Sequence, residues 1–119
     1  MNTQTVIPQL RMTDAVRAQA FYIDQLGFSI DWQHQFEPGF PLFLQITREG
    51  QTIFLTGHAG DCQVGGAVYF WVPDADATYA AFMAKGVQPV KPIEDMPWGV
   101  REFLLIDPDH NKLRFGTKL

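Results

Sequence analysis

Apolar positions recur along this chain with two different periods, and the alternation between them divides it into elements. Asp14 is followed by Ala15, Ala18, Phe21, Tyr22 and Leu26 at three-and-four spacing, with Gly27 where a helix-terminating glycine belongs. The same form returns at Asp74 or Asp76, with Thr78, Tyr79, Phe82 and Met83 on one face and Gly86 at the end. These spacings predict helices over 14–26 and 74–85. Residues 5–12, 28–36, 42–48 and 51–57 alternate or run apolar, as strands do, and Glu49-Gly50 supplies a hairpin turn between the last two. Beyond a polar, glycine-containing stretch at 58–65, strands are expected near 66–72, 87–91, 100–106 and 112–116. The turn Asp107-Pro108-Asp109-His110-Asn111 separates the final pair.

These elements repeat. Asp14 matches Asp74, Met12 matches Val72, and Thr52-Ile53-Phe54-Leu55 matches Lys112-Leu113-Arg114-Phe115, each at an offset of 60. Two βαβββ modules follow, the first about 5–57 and the second about 66–117, joined by the linker 58–65. Each module offers one sheet face for a helix to cover and leaves the other to curve around a ligand. The expected class is α+β, in one domain over 1–119.

Composition narrows the function. At 119 residues the chain is long enough for one core without staples, and 46% hydrophobic residues can fill it. A single cysteine, Cys62, rules out an internal disulfide framework and any multi-cysteine metal site. A net charge of −4 argues against nucleic acid and mildly favours a cationic partner. No apolar run is long enough to cross a membrane and the first residues lack the form of a signal peptide, so a cytoplasmic protein is expected. His34, His58 and His110 have no neighbours at metal-ligand spacing, and Cys62 has no adjacent base. No phosphate-binding glycine loop or nucleophile motif occurs.

Leu10-Arg11-Met12-Thr13-Asp14, Phe21-Tyr22 and Leu26-Gly27-Phe28 resemble the opening of the vicinal oxygen chelate superfamily, which includes glyoxalase I, extradiol dioxygenases and bleomycin-resistance proteins. Pro97-Trp98-Gly99, Arg101-Glu102-Phe103, Asp107-Pro108 and Asn111 resemble the bleomycin-resistance branch in particular. The resemblance spans nearly the whole chain. It implies the glyoxalase/bleomycin-resistance fold, two curved sheets around a shared cleft, and a homodimer. Its enzymes hold a divalent metal at four positions, which fall here on Ile7, Phe54, Ala67 and Arg114. Three of these have no lone pair to give and the fourth is a cation, so no metal cofactor is expected.

Strand alternation sorts the rest by face. With Phe54 and Arg114 toward the cleft come Thr52, Thr56, Lys112 and Gly116, while Ile53, Leu55, Leu113 and Phe115 turn to the helices. Ala67 brings Tyr69 and Trp71 to the cleft. The resemblance places Trp32 and Phe43 as a stacking pair for a flat ligand group, and Trp98 as a tryptophan reaching the cleft from the other module. Acidic residues Asp31, Glu37, Glu94, Asp95 and Glu102 lie near these aromatics in sequence, as suits a planar cation. Arg114 complicates that picture unless a carboxylate neutralises it or an anionic ligand group meets it. Expected ligand-binding residues are Trp32, Phe43, Phe54, Tyr69, Trp98 and Glu102, with no catalytic set. The leading function is non-catalytic sequestration of a planar cationic antibiotic of the bleomycin type. The alternatives are a metal-dependent lyase, isomerase or dioxygenase of the same superfamily, and a carrier or sensor for another aromatic ligand.

Overall fold

The computed structural model describes residues 4–119. β1 (Gln9–Arg11) leads into α1 (Ala15–Gln19), which continues as a π-helical stretch at Ala20–Gln25. Asp14 caps the start, its side chain accepting from the Val16 and Arg17 backbone N–H groups. The wider π turns bring the adjacent Phe21 and Tyr22 both to the buried side, their rings edge to face at 5.1 Å. β2 (Ser29–His34), β3 (Phe43–Arg48) and β4 (Gln51–Thr56) complete the first half. Glu49 and Gly50 both adopt positive φ (47° and 78°) between β3 and β4, the conformation that lets a two-residue loop follow the twist of its strands.

The second half repeats this order with β5 (Ala67–Trp71), α2 (Ala75–Ala84), β6 (Lys91–Met96), β7 (Val100–Ile106) and β8 (Lys112–Lys118). The strand expected at 87–91 lies instead at Lys91–Met96. The Val90 N–H reaches the Leu104 carbonyl, but the ladder itself runs later, through Pro92. Proline weakened the strand signal there, and an outer strand, where one row of N–H groups needs no partner, tolerates it. The first strand is likewise shorter than expected, although Pro8 and Met12 extend its backbone pairing with Phe54 and Thr56.

Each half closes its own four-stranded sheet, in the orders β1-β4-β3-β2 and β5-β8-β7-β6. Their registers are equivalent. The row Gln9, Phe54, Gln45, Trp32 in the first sheet corresponds to Tyr69, Arg114, Leu104, Lys91 in the second. The adjoining row Arg11, Thr56, Phe43, His34 corresponds to Trp71, Gly116, Glu102, Glu94. One hydrophobic core joins the halves. Leu44, Ile46, Ile53 and Leu55 from the first sheet and Phe70, Phe103, Leu105, Leu113 and Phe115 from the second are buried in it. Phe28 meets Phe70 at 6.1 Å, and Phe82 of α2 packs on Phe103 and Phe115.

A polar seam ties the halves as well. The Tyr22 hydroxyl donates to Asp107 at 2.6 Å, and the Thr13 backbone N–H donates to Asp109 at 3.1 Å. Burial, reinforced by Asp107, pushes the Tyr22 phenol pKa well above its ordinary value, so this donor keeps its proton.

Candidate functional site

With Leu44, Ile46, Ile53 and Leu55 committed to the core, the alternate residues face outward. On the first sheet they gather three aromatic rings. Trp32 and Phe43 stack nearly parallel, 5.8 Å between centroids and 11° between planes. Phe54 tilts against both, at 5.9 and 5.0 Å. Trp32 keeps 45% of its surface exposed, so the cluster is a platform open to solvent and not an extension of the core.

The platform continues into a pocket of about 470 Å³ lined by Trp32, His34, Phe36, Phe43, His58 and Asp61. That volume lies in the range of small-molecule sites. Phe36 sits edge to face between the two imidazoles, 4.4 Å from His34 and 5.7 Å from His58. Asp61 is held at the rim by the Thr56 hydroxyl, which donates at 2.7 Å. Phe36, His34, His58 and Asp61 were absent from the expected site residues. Alternation along the expected strand 28–36 puts His34 and Phe36 on the face of Trp32, whereas 57–66 carries no periodicity, so only folding brings His58 and Asp61 beside them.

One carboxylate reaches this face through an irregularity. Ile30 pairs with Ile46 but Trp32 pairs with Gln45, so β2 carries one extra residue, Asp31. A bulge of this kind re-aims a side chain. Asp31 accepts from Gln45 Nε2 at 3.0 Å and from the Thr47 hydroxyl at 2.5 Å. Gln45 is the strand partner of Phe54, so the carboxylate lies on the aromatic side of the sheet, beside Trp32.

The second sheet presents a different surface. The Tyr69 ring reaches across Gly116 to donate its hydroxyl to Glu102 at 3.1 Å. A Cβ on Gly116 would lie 2.1 Å from that hydroxyl, so the ring lies there because residue 116 has no side chain. Burial and the bond to Glu102 push the Tyr69 pKa up to about 12. Arg114 pairs with the other Glu102 oxygen at 3.5 Å, which supplies the neutralising carboxylate that an arginine at this position called for. Trp71 adds a second ring 4.9 Å from Tyr69.

Of the six expected ligand residues, the structure therefore gathers Trp32, Phe43 and Phe54 on one sheet and Tyr69 with Glu102 on the other. Trp98 stands apart, 69% exposed in the turn where the Gly99 N–H meets the Met96 carbonyl. Glu102 is buried, so it acts through Tyr69 and Arg114 and not as a surface charge. Asp95 is engaged by Arg101, which lowers its carboxyl pKa below the ordinary value.

The positions Ile7, Phe54, Ala67 and Arg114 do not fit a divalent metal, because no oxygen, thiolate or imidazole lone pair is available among them. Among the described residues, no group of three His, Cys, Asp or Glu side chains is placed to share an ion. No helix among them is long and apolar enough to cross a membrane.

A family model described as Glyoxalase superfamily protein matches residues 1–119. Among solved structures, the bleomycin resistance determinant encoded on the transposon Tn5 aligns with TM-score 0.79 at 22% identity, covering 98% of each chain. TnmS3, an antibiotic binding protein from Streptomyces sp. CB03234, aligns with TM-score 0.74 at 20% identity, also over 98% of both chains. A lactoylglutathione lyase from Agrobacterium tumefaciens aligns with TM-score 0.71 at 20% identity, over 97% of this chain and 93% of the other. No curated protein sequence matches significantly.

Proposed function

The chain belongs to the glyoxalase superfamily, and from that premise we propose that it is a binding protein that captures a small planar cation without chemical conversion. The observation that carries this reading is the Trp32–Phe43–Phe54 platform with Asp31 turned onto it by the bulge. A flat cationic ring laid on the exposed face of Trp32 gains stacking of about 1–3 kcal/mol, taking base stacking as the nearest analogue. The ring quadrupole adds roughly 0.5–2 kcal/mol for a cation over its face. Asp31 contributes long-range attraction. The pocket beside Phe36 gives room for the remainder of a drug-sized molecule.

The proposed ligand class is a planar cationic antibiotic of the bleomycin type, and capture in the cytoplasm would protect by lowering its free concentration. The solved structures that share this fold include a bleomycin resistance determinant and an antibiotic binding protein, which supports the reading. A metal-dependent reaction draws no support from the donor chemistry at Ile7, Phe54, Ala67 and Arg114. One open face covers one side of a large ligand, so the proposal includes a homodimer whose second chain supplies the rest.

The test is a tryptophan-fluorescence titration with bleomycin and with a simple planar cation such as an acridinium, on the protein and on Trp32→Ala. Because Trp32 is half exposed, the variant should melt within a few degrees of the parent while binding at least tenfold more weakly. Unchanged affinity beside a collapsed melting temperature would make Trp32 a core residue and remove the platform.

A further inference from the structure

One polar atom beside the aromatic platform is left unmet. Nε2 of His58 is buried and has no hydrogen-bond partner among the described residues, where a buried polar group ordinarily has one. No other buried side-chain nitrogen or oxygen among them is in that state. The imidazole cannot easily turn away, because its backbone is tied on both sides. The His58 N–H donates to the Thr56 hydroxyl oxygen at 3.1 Å, and the His58 carbonyl accepts from the Asp61 N–H at 3.1 Å. The same hydroxyl donates to the Asp61 carboxylate, so imidazole and carboxylate are carried on one turn.

Phe36 packs edge to face on this imidazole and is itself 67% exposed. It lies beyond the end of β2, in a loop held by bonds of its own. Gln35 Nε2 donates to the Phe40 carbonyl at 2.7 Å, and the Phe40 N–H donates to the Glu37 carbonyl at 2.9 Å. Neither bond involves Phe36, so its ring can leave the imidazole without breaking one. Exposed side chains change rotamer in nanoseconds or less.

The chemistry beneath that ring selects a partner. Of the Asp61 carboxylate, one oxygen takes the Thr56 hydroxyl, and the other receives no hydrogen bond from a described residue. Trp32, His34, Phe36 and Phe43 make up the rest of the lining. A neutral imidazole with its hydrogen on Nδ1 offers a lone pair at Nε2, and Asp61 adds a negative charge. A primary ammonium matches both, since it carries N–H donors and the opposite charge.

We propose that His58 is a specificity-determining residue of this pocket. Phe36 swings off the imidazole as a ligand enters, and Nε2 accepts a hydrogen bond from a primary ammonium on an arm of the flat cation. The proposal rests on cation capture at the Trp32 platform and adds a requirement for an N–H donor on the arm.

The experiment titrates the full chain with acridinium probes carrying arms of three to five carbons, followed by acridinium fluorescence. The arms end in a primary ammonium, in a trimethylammonium of equal charge, or in a plain methyl group. At the best arm length the primary ammonium should bind at least fivefold more tightly than the trimethylammonium. His58→Phe keeps a ring but no lone pair, and should bring the two within twofold while leaving the methyl-ended probe unchanged. His58→Ala serves the same comparison if the larger ring is not accepted. His58→Gln returns an acceptor oxygen near the place of Nε2 and should restore at least half of the preference. In NMR the Phe36 ring signals should move when the ammonium probe is added. Trp32→Ala should weaken all three probes alike. If no probe binds, or Trp32→Ala leaves all three unchanged, cation capture falls and this proposal falls with it. Suppose instead that the probes bind through Trp32 but primary and quaternary arms bind equally, the preference survives without His58, or the Phe36 signals stay in place. Each of those results overturns the role of His58 alone.

Discussion

Where the first sheet sets Phe54 diagonally beside Phe43, the second sets Arg114 diagonally beside Glu102. The strand partners are equivalent and so is the outward direction, yet one pair is two tilted rings and the other is an ion pair. Thr56 and Gly116 occupy the next equivalent place. Thr56 keeps its side chain and ties down Asp61, whereas Gly116 gives up its own so that Tyr69 can lie across it. The repeat thus fixes backbone positions without fixing chemistry. The first face is aromatic with one re-aimed carboxylate. The second carries a half-exposed guanidinium beside two rings.

Exchanging the residues tests how far each face depends on its pair. Arg114→Phe copies the first sheet at one position and strands the Glu102 carboxylate, which is 7% exposed. Breaking a fully buried pair costs about 3–5 kcal/mol; Arg114 is half exposed, so the loss here should be about 2 kcal/mol in a denaturant titration. Adding Glu102→Phe removes the stranded charge and should recover at least half of that. A single variant as stable as the parent would mean that the ion pair has no structural part in the second face.

Gly116→Ala is the next smaller change. Its methyl group would displace the Tyr69 hydroxyl and leave Glu102 one donor short, at about 1–3 kcal/mol for an unmet buried group. Thr56→Ala, at the equivalent place, removes two hydrogen bonds, the donation to Asp61 and the acceptance from the His58 N–H, at about 1 kcal/mol each. A Gly116→Ala variant as stable as the parent would contradict the use assigned to the glycine. The smallest effect is expected at Asp31→Asn, which should weaken a planar cation about threefold at low salt, leave a neutral analogue unaffected, and fade as salt screens the charge. A neutral analogue weakened as much as the cation would mean that Asp31 acts by shape.

Much of this was legible in the residues themselves. Asp14, Asp74, Gly27 and Gly86 bound the helices because capping is a local matter, and Glu49-Gly50 announces its hairpin for the same reason. The exposed Tyr69 and Trp71 flanking the buried Phe70 follow from strand alternation alone. What alternation misses is its own interruption. The extra residue at Asp31 leaves no local mark, and it decides which side of the sheet that carboxylate serves. Contacts assembled by loops are equally silent, so His58 and Asp61 could be found only in three dimensions. Glu102 was readable as an acidic neighbour of aromatics, but its burial under Tyr69 depends on a glycine on the adjacent strand.

The polar seam between the halves has a kinetic consequence. Every strand pairing closes inside one half of the chain, whereas the seam bonds join residues 85 to 100 positions apart. Closing longer loops costs more chain entropy, so each sheet can assemble before the two dock. The Tyr22–Asp107 clasp then belongs to the final step of folding and to the first step of opening. In a hydrogen-exchange experiment, the backbone amides of Thr13 and Gly66, which donate to Asp109 and Asn111 across or beside the seam, should exchange through a partial opening that leaves β3, β4, β7 and β8 still protected.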